Sequence, residues 1–214
     1  LQLERKPILC YVTDRRALEG MPALLAAIHR AAAAGTDWIQ IREKDLEARA
    51  LVELVRRAAV ETRETGARLI VNDRLDVAIA AGAAGVHLGE TSLPVEEVTK
   101  WRRSSGRAEF QVGVSCHSPA SVLAAEQSGA DYVFFGPVFA TPSKIGFGPP
   151  QGIDRLREVC NRVGIPVLAI GGITTGNAGA CLAAGAAGVA AIRLFQESEN
   201  VAAAVARLRD AIPT

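Results

Sequence analysis

The stretch Tyr132-Val-Phe-Phe-Gly-Pro-Val-Phe-Ala-Thr-Pro-Ser-Lys-Ile-Gly146 decides how the rest of the chain is read. Tyr132 to Val138 is an apolar run of the length expected of a strand buried on both faces. It gives way to Thr141-Pro-Ser143-Lys144 and then to a loop with Gly146, Gly148, Pro149, Pro150 and Gly152. Hydroxyls, a lysine and accessible backbone amides at the carboxyl end of a parallel strand have the makings of an anion site.

The same plan of apolar strand, polar tip and helix recurs along the chain. Strands are expected at Ile8–Thr13, Trp38–Arg42, Arg68–Asn72, Gly85–Leu88, Phe110–Ser115, Tyr132–Val138, Pro166–Gly171 and Gly188–Leu194. Between them lie Ala-, Leu-, Glu- and Arg-rich segments, such as Leu46–Thr65 and Asn200–Ile212, with apolar residues at helical spacing. The triplets Ala34-Gly35-Thr36, Gly82-Ala83-Ala84, Gly129-Ala130-Asp131 and Gly185-Ala186-Ala187 precede strands, where glycine suits a left-handed helix cap. Eight such units of roughly 25 residues favour a closed (β/α)8 TIM barrel over an open doubly wound sheet. A single α/β domain over residues 1–214 accommodates them, with no linker in view.

Composition narrows the partners. With 24 basic and 23 acidic residues the net charge is +1, so no strong field favours nucleic acid or an anionic membrane. Cys10, Cys116, Cys160 and Cys181 lie far apart without metal-type spacing, and read as plain thiols of a reducing compartment. There is no signal-peptide pattern and no apolar run of the ~18 residues a membrane span needs, which points to a cytoplasmic protein.

In a barrel of this kind the carboxyl ends of the strands line the active face. Those tips supply Gln40, Arg42 and Lys44, Asn72 and Asp73, His87 and Glu90, Ser115 and His117, Thr141, Ser143 and Lys144, Gly171 and Gly172, and Arg193. A barrel core needs none of these polar groups. Gln40, Arg42 and Lys44 alternate along one side of a strand, and two cations with an amide fit a diphosphate, Arg forking onto two oxygens. The competing reading is an ion-pair network with Glu43 and Asp45. Asn72-Asp73 pairs an amide with a carboxylate that could hold Mg²⁺ or a ligand, or could cap the helix beginning near Arg74. Ile170-Gly-Gly-Ile-Thr-Thr-Gly-Asn177 has the form of a barrel phosphate site, or of a tight turn capped by Thr175. His117 is a candidate proton carrier, His87 reads as a hydrogen-bonded core residue, and His29 as surface.

These residues together bring a family into view. The chain resembles the thiamine-phosphate synthases and their relatives the thiazole tautomerases over nearly its full length. The carrying segments are Tyr11-Val-Thr-Asp14, Gln40-Ile-Arg-Glu-Lys44, Val71-Asn-Asp-Arg74, Gly85-Val-His-Leu-Gly89, Gly113-Val-Ser-Cys-His-Ser118, Gly136-Pro-Val-Phe-Ala-Thr-Pro-Ser-Lys144 and Ala169-Ile-Gly-Gly-Ile-Thr174. The resemblance implies a transferase of thiamine biosynthesis. It would join hydroxymethylpyrimidine diphosphate to a thiazole phosphate and release diphosphate, using Mg²⁺. By that likeness Gln40, Arg42, Lys44, Asn72, Ser115 and Lys144 hold the pyrimidine and its diphosphate. Asp73 falls on a Mg²⁺ ligand, Thr141 and Ser143 on the thiazole-phosphate region, and Gly172 on the phosphate loop. Arg42, Lys144, Ser115 and His117 are the candidate catalytic groups. A homodimer is a further expectation of the resemblance.

Two positions depart from the family pattern. Ser92 stands where the synthases usually carry a second Mg²⁺-binding aspartate, leaving Glu90 as the nearby carboxylate. Arg193 stands where they usually have a small hydroxyl residue beside the thiazole phosphate, and could add a phosphate contact or fill the pocket. Both changes raise the claim of a thiazole tautomerase, which needs an acid–base group such as His117 but no metal. Retention of Asn72-Asp73 and Lys144 favours the synthase. A non-catalytic binder of phosphorylated thiazole is a third reading.

Overall fold

The computed structural model describes residues 6–141 and 149–211. Eight parallel strands close on themselves in sequence order: β1 (Ile8–Val12), β2 (Trp38–Ile41), β3 (Arg68–Asn72), β4 (Gly85–Leu88), β5 (Gln111–Cys116), β6 (Tyr132–Phe135), β7 (Val167–Ile170) and β8 (Gly188–Ala191). The closing seam pairs β1 with β8, from Ile8 against Gly188 to Tyr11 against Ala191. Helices α1 (Gly20–Ala33), α2 (Ala48–Thr62), α3 (Leu75–Ala81), α4 (Val95–Ser104), α5 (Pro119–Gln127), α6 (Gly152–Cys160) and α7 (Ala178–Ala183) cross between the strands. After β8 come α8 (Arg193–Gln196) and α9 (Val201–Asp210), and a 3-10 turn, Arg15–Ala17, follows β1. This is a (β/α)8 TIM barrel, as the recurrence of strand and helix patterns implies.

Period-two alternation splits β1, β2, β6, β7 and β8 between two cores. Outward residues such as Leu9, Ile39, Val71, Val86, Val112, Val133, Ala169 and Val189 pack under the helices. Inward residues Cys10, Val12, Trp38, Tyr132, Phe134, Leu168 and Ala190 fill the barrel itself. On α2 the buried stripe Leu51, Leu54, Val55 and Ala58 shows the three-four spacing that lets one helix face cover the sheet. The interstrand glycines Gly35, Gly82, Gly129 and Gly185 all have positive φ, as the helix-ending triplets require.

Two strands end earlier than their apolar runs. β6 stops at Phe135 rather than Val138, because the next residues are Gly136-Pro137 and proline has no N–H for the ladder. β8 stops at Ala191, level with Tyr11 in the β1 pairing, and the chain then turns into α8. Arg193 therefore begins a short helix instead of extending a strand. Ser143, Lys144, Gly146 and Gly148 lie outside the described residues. Among the described residues no helix is long and apolar enough to cross a membrane, and all four cysteines are free thiols.

Candidate active site

At the carboxyl mouth, β2 and β3 present an amide pair. Gln40 Nε2 donates to Asn72 Oδ1 over 3.0 Å. Gln40 is buried, yet its Oε1 accepts from no described residue. A buried polar atom left unpaired is costly, so this oxygen reads as an acceptor held for a ligand. Neither Asn72 nor Asp73 caps α3: the N-cap position is Arg74, without a side-chain cap bond. Asp73 has φ +67°, a left-handed conformation that Asp tolerates. Its N–H donates to the His87 carbonyl (2.8 Å), while its exposed carboxylate has no hydrogen-bond or ion-pair partner among the described residues.

The ion-pair reading of the β2 tip resolves differently. Glu43 turns inward and is buried; it accepts from Thr13 Oγ1 (2.6 Å) and from the Arg15 N–H (3.1 and 3.2 Å to its two oxygens). Burial pushes its carboxyl above the ordinary value, against the lowering effect of the Thr13 hydrogen bond. Asp45 pairs with Arg15 (2.5 Å) and Arg16 (3.4 Å). The acids flanking Arg42 and Lys44 are thus engaged by the β1 loop, and neither cationic head has an ion-pair partner among the described residues. Thr13 closes the arrangement, since its Oγ1 also accepts the Arg42 N–H over 2.9 Å. The same loop is held from the far side by Gln196 on α8. Its Oε1 accepts from Tyr11 Oη (2.9 Å) and the Asp14 N–H (2.8 Å), and its Nε2 donates to the Asp14 carbonyl (3.0 Å).

Across the mouth, His87 is buried between two hydroxyls, Tyr132 Oη at 3.2 Å from Nδ1 and Ser115 Oγ at 2.9 Å from Nε2. Burial first, then nearby Arg42, lower its pKa from 6.5 to about 3, so the ring is neutral near pH 7. His87 is the hydrogen-bonded core residue its apolar strand implies. His117 is partly exposed; its Nδ1 donates to the Gly136 carbonyl at 2.5 Å, and its Nε2 lies 4.0 Å from Glu90 Oε1. Ser92 is committed to a turn, its Oγ accepting the Gly89 N–H over 2.7 Å. Glu90 is exposed. Among the described residues no cluster of three or more His, Cys, Asp and Glu side chains forms a ready-made metal cage.

The β6 and β7 tips are tied together. Val138 N–H donates to Ile170 O (2.9 Å) and Phe139 N–H to Gly171 O (3.0 Å). A Cβ on Gly172 would fall 2.6 Å from Ala140 O and 2.7 Å from Phe139 Cβ, so only glycine admits the neighbouring loop here. Asn177, not Thr175, organises the turn: its Oδ1 accepts the Thr174 N–H (2.8 Å) and its Nδ2 donates to Gly172 O (2.9 Å). Thr141 sits half-buried where the described part of this loop ends. Arg193 is exposed at the start of α8, beyond β8.

Thr13 and Gln196 also shape this mouth, Tyr132 supports it from below through His87, and Glu43 contributes by turning away from the cations beside it. Thr13 and Asp14 at the first strand tip are the one signal a sequence offers for the β1 loop; Gln196 and Tyr132 join only through the closed barrel.

The sequence and the fold both have relatives among known proteins. Residues 9–195 match the thiamine monophosphate synthase family. The chain is 47% identical to a thiamine-phosphate synthase of Methanoculleus marisnigri over 182 residues, covering 85% of this chain and 84% of the relative. It is 42% identical to that of Roseiflexus castenholzii over 203 residues, covering 95% and 87%. Its fold superposes on the solved thiamine phosphate pyrophosphorylase from Pyrococcus furiosus with a TM-score of 0.84, at 34% identity over 98% of this chain and 97% of that one. With family match, sequence relatives and fold in accord along almost the whole barrel, this chain belongs to the thiamine monophosphate synthase family.

Proposed function

We propose that the chain is a thiamine-phosphate synthase, a transferase that joins hydroxymethylpyrimidine diphosphate to thiazole phosphate and releases diphosphate. The observation that carries this reading is the state of the β2 tip. Among the described residues Arg42 and Lys44 have no ion-pair partner, and the acids beside them are engaged elsewhere, Glu43 by Thr13 and the Arg15 N–H and Asp45 by Arg15 and Arg16. Two such cations beside an amide are a diphosphate cradle, and a carboxylate turned the other way would oppose one.

We assign the roles as follows. Gln40 Oε1, buried and without a partner among the described residues, accepts from the exocyclic amine of the pyrimidine, while Asn72 holds the Gln40 amide in place. Arg42 and Lys44 bind the diphosphate, with Ser115 across the barrel. Thr141 and the Gly172 backbone take the thiazole phosphate, and Arg193 on α8 adds charge at that end. Ser143 and Lys144 join from the sequence likeness, Lys144 at the diphosphate. The C–O bond to diphosphate breaks, and the thiazole nitrogen takes its place on the pyrimidine methylene. Arg42, Lys44 and Lys144 stabilise the charge that develops on the leaving group, which is the largest demand of such a reaction.

The donor set fits Mg²⁺. That ion takes one or two carboxylates with substrate phosphates and water in preference to an all-protein cage. Asp73 offers an open carboxylate, with Glu90 as the second, and Ser92 is spent on its turn. When bound, the ion neutralises negative charge on the departing diphosphate. A small phosphorylated-substrate enzyme of this kind works in the cytoplasm. The test is direct: incubate the protein with both substrates and Mg²⁺ and assay thiamine phosphate. Its formation is expected; a protein that isomerises thiazole carboxylate phosphate but never couples would replace the synthase with the tautomerase.

A further inference from the structure

The buried ring of Tyr132 packs inside the barrel against Trp38, Phe134 and His87. His87 Nδ1 is the sole hydrogen-bond partner of its hydroxyl among the described residues. On the other side of the ring, Nε2 faces Ser115 Oγ at the mouth. Two hydroxyls and one neutral imidazole make a chain whose proton positions can be deduced.

Burial holds the Tyr132 phenol in its protonated form. A buried O–H without an acceptor is costlier than an under-used acceptor, which keeps its second lone pair to spare. The Tyr132 proton therefore points at Nδ1, the one acceptor in reach. Nδ1 is then the bare nitrogen, and the single proton of the ring sits on Nε2. Nε2–H donates to Ser115 Oγ. The hydroxyl proton of Ser115 is left over, with no acceptor for it among the described residues, and it faces the open mouth. The reverse order, Nδ1–H to Tyr132 and Ser115 O–H to Nε2, would orphan the Tyr132 proton inside an aromatic cage. A doubly protonated ring would orphan it too, and would bury a cation near Arg42.

We infer that Tyr132, His87 and Ser115 form a polarity relay that fixes Ser115 as a hydrogen-bond donor toward the ligand, with Tyr132 and His87 as positioning residues. The inference rests on the synthase reading for its ligand, the pyrimidine diphosphate. The atom met by Ser115 carries lone pairs and no hydrogen: a diphosphate oxygen or an unprotonated ring nitrogen. The mouth then offers opposite polarities on facing strands, an acceptor at Gln40 on β2 and a donor at Ser115 on β5. A ligand presenting an N–H to Ser115 is disfavoured from the centre of the barrel.

The test begins on wild type without substrate. Long-range proton–nitrogen spectra of ¹⁵N-histidine-labelled protein at pH 7 should show His87 protonated on Nε2 and bare on Nδ1; the opposite tautomer would overturn the relay. Tyr132→Phe keeps the ring volume and removes the proton that sets the order. Its KM for the pyrimidine diphosphate should rise about 3–10-fold, the worth of one hydrogen bond, with KM for thiazole phosphate unchanged. In a Ser115→Ala background the same substitution should add no further rise. Lowered melting temperature with both KM values intact would make the trio merely structural and sink the positioning role. Failure of wild type to couple its substrates would remove the synthase reading and the role in substrate binding, whereas the nitrogen spectrum judges the proton order independently.

Discussion

Tyr132 lies across Gly113 on the neighbouring strand, so closely that a Cβ on Gly113 would fall 2.1 Å from the ring Cζ. Neither partner can yield cheaply, since the ring is walled by Trp38 and Phe134. Gly113→Ala should therefore cost about 1–3 kcal/mol or more, as overpacking does. Urea unfolding measures it. A cost near zero would mean that the ring has free space the packing does not show. The displaced ring should also weaken the His87 contact and raise KM for the pyrimidine diphosphate.

His87 makes stability depend on pH with a definite sign. Its folded pKa, about 3, lies below the 6.5 of the unfolded chain. Between those values the unfolded chain binds a proton that the folded chain refuses, so stability rises with pH. The contribution is fully present above pH 6.5 and is lost as pH falls toward 3, at up to about 1.4 kcal/mol per pH unit. Denaturant titrations of wild type and His87→Gln at pH 5 and pH 7 should show a shallower acid loss in the variant, whatever its absolute stability. Equal slopes would place the acid sensitivity elsewhere.

Glu43 should matter to one substrate only. Glu43→Gln keeps one acceptor for the Thr13 hydroxyl but turns the other oxygen into an NH2 donor facing the Arg15 N–H. The loop that fixes the Arg42 backbone through Thr13 then loosens. KM for the pyrimidine diphosphate should rise about tenfold, the effect of losing a charged hydrogen bond, with KM for thiazole phosphate unchanged. Steady-state kinetics with each substrate varied in turn decide it. Equal rises in both would point to general loosening of the barrel.

Much of this was open to a reader of the sequence, and the reasons differ by residue. Strand positions come from apolar runs such as Ile8–Val12 and Tyr132–Phe135, because burial on both faces writes itself into composition. The ends of β6 and β8 do not, since Val138 and Leu194 stay apolar after leaving the ladder. The polar tips are legible one strand at a time. What Glu43 does depends on Arg15, twenty-eight residues away, and what His87 does depends on Tyr132 across two strand interfaces. Local spacing cannot separate an acid that quenches Arg42 from one drawn inward by a threonine.

The metal reading predicts a selective defect. Asp73→Asn keeps a residue that tolerates the left-handed backbone at φ +67°, so the fold should survive. Coupling activity should fall on the order of 10²-fold, as when a charge-stabilising element is lost, and excess chelator should abolish wild-type activity. Ser92→Asp restores a carboxylate at the tip of β4 and should lower the Mg²⁺ concentration needed for half-maximal rate. Full activity of wild type in chelator would eliminate the ion from the reaction.

His117 separates coupling from isomerisation. Capture of the pyrimidine by the thiazole nitrogen needs no imidazole proton shuttle, so His117→Gln should retain coupling within roughly tenfold. Positioned acid–base groups are worth about 10²–10⁴-fold where a proton must be moved. A loss of that size in thiamine phosphate formation would make His117, beside Glu90, a working acid–base group.

The bonds from Val138 to Ile170 and from Phe139 to Gly171 have a consequence for engineering. They splice the loop bearing Thr141 to the Gly171-Gly172 turn, and Gly172 has no room for a side chain while Ala140 lies against it. The two segments are one transplantable module, although thirty residues of sequence separate them. A chimera that exchanges the β6 loop with a relative must bring the β7 turn from the same parent, and directed evolution of the thiazole side should mutate both in a single library.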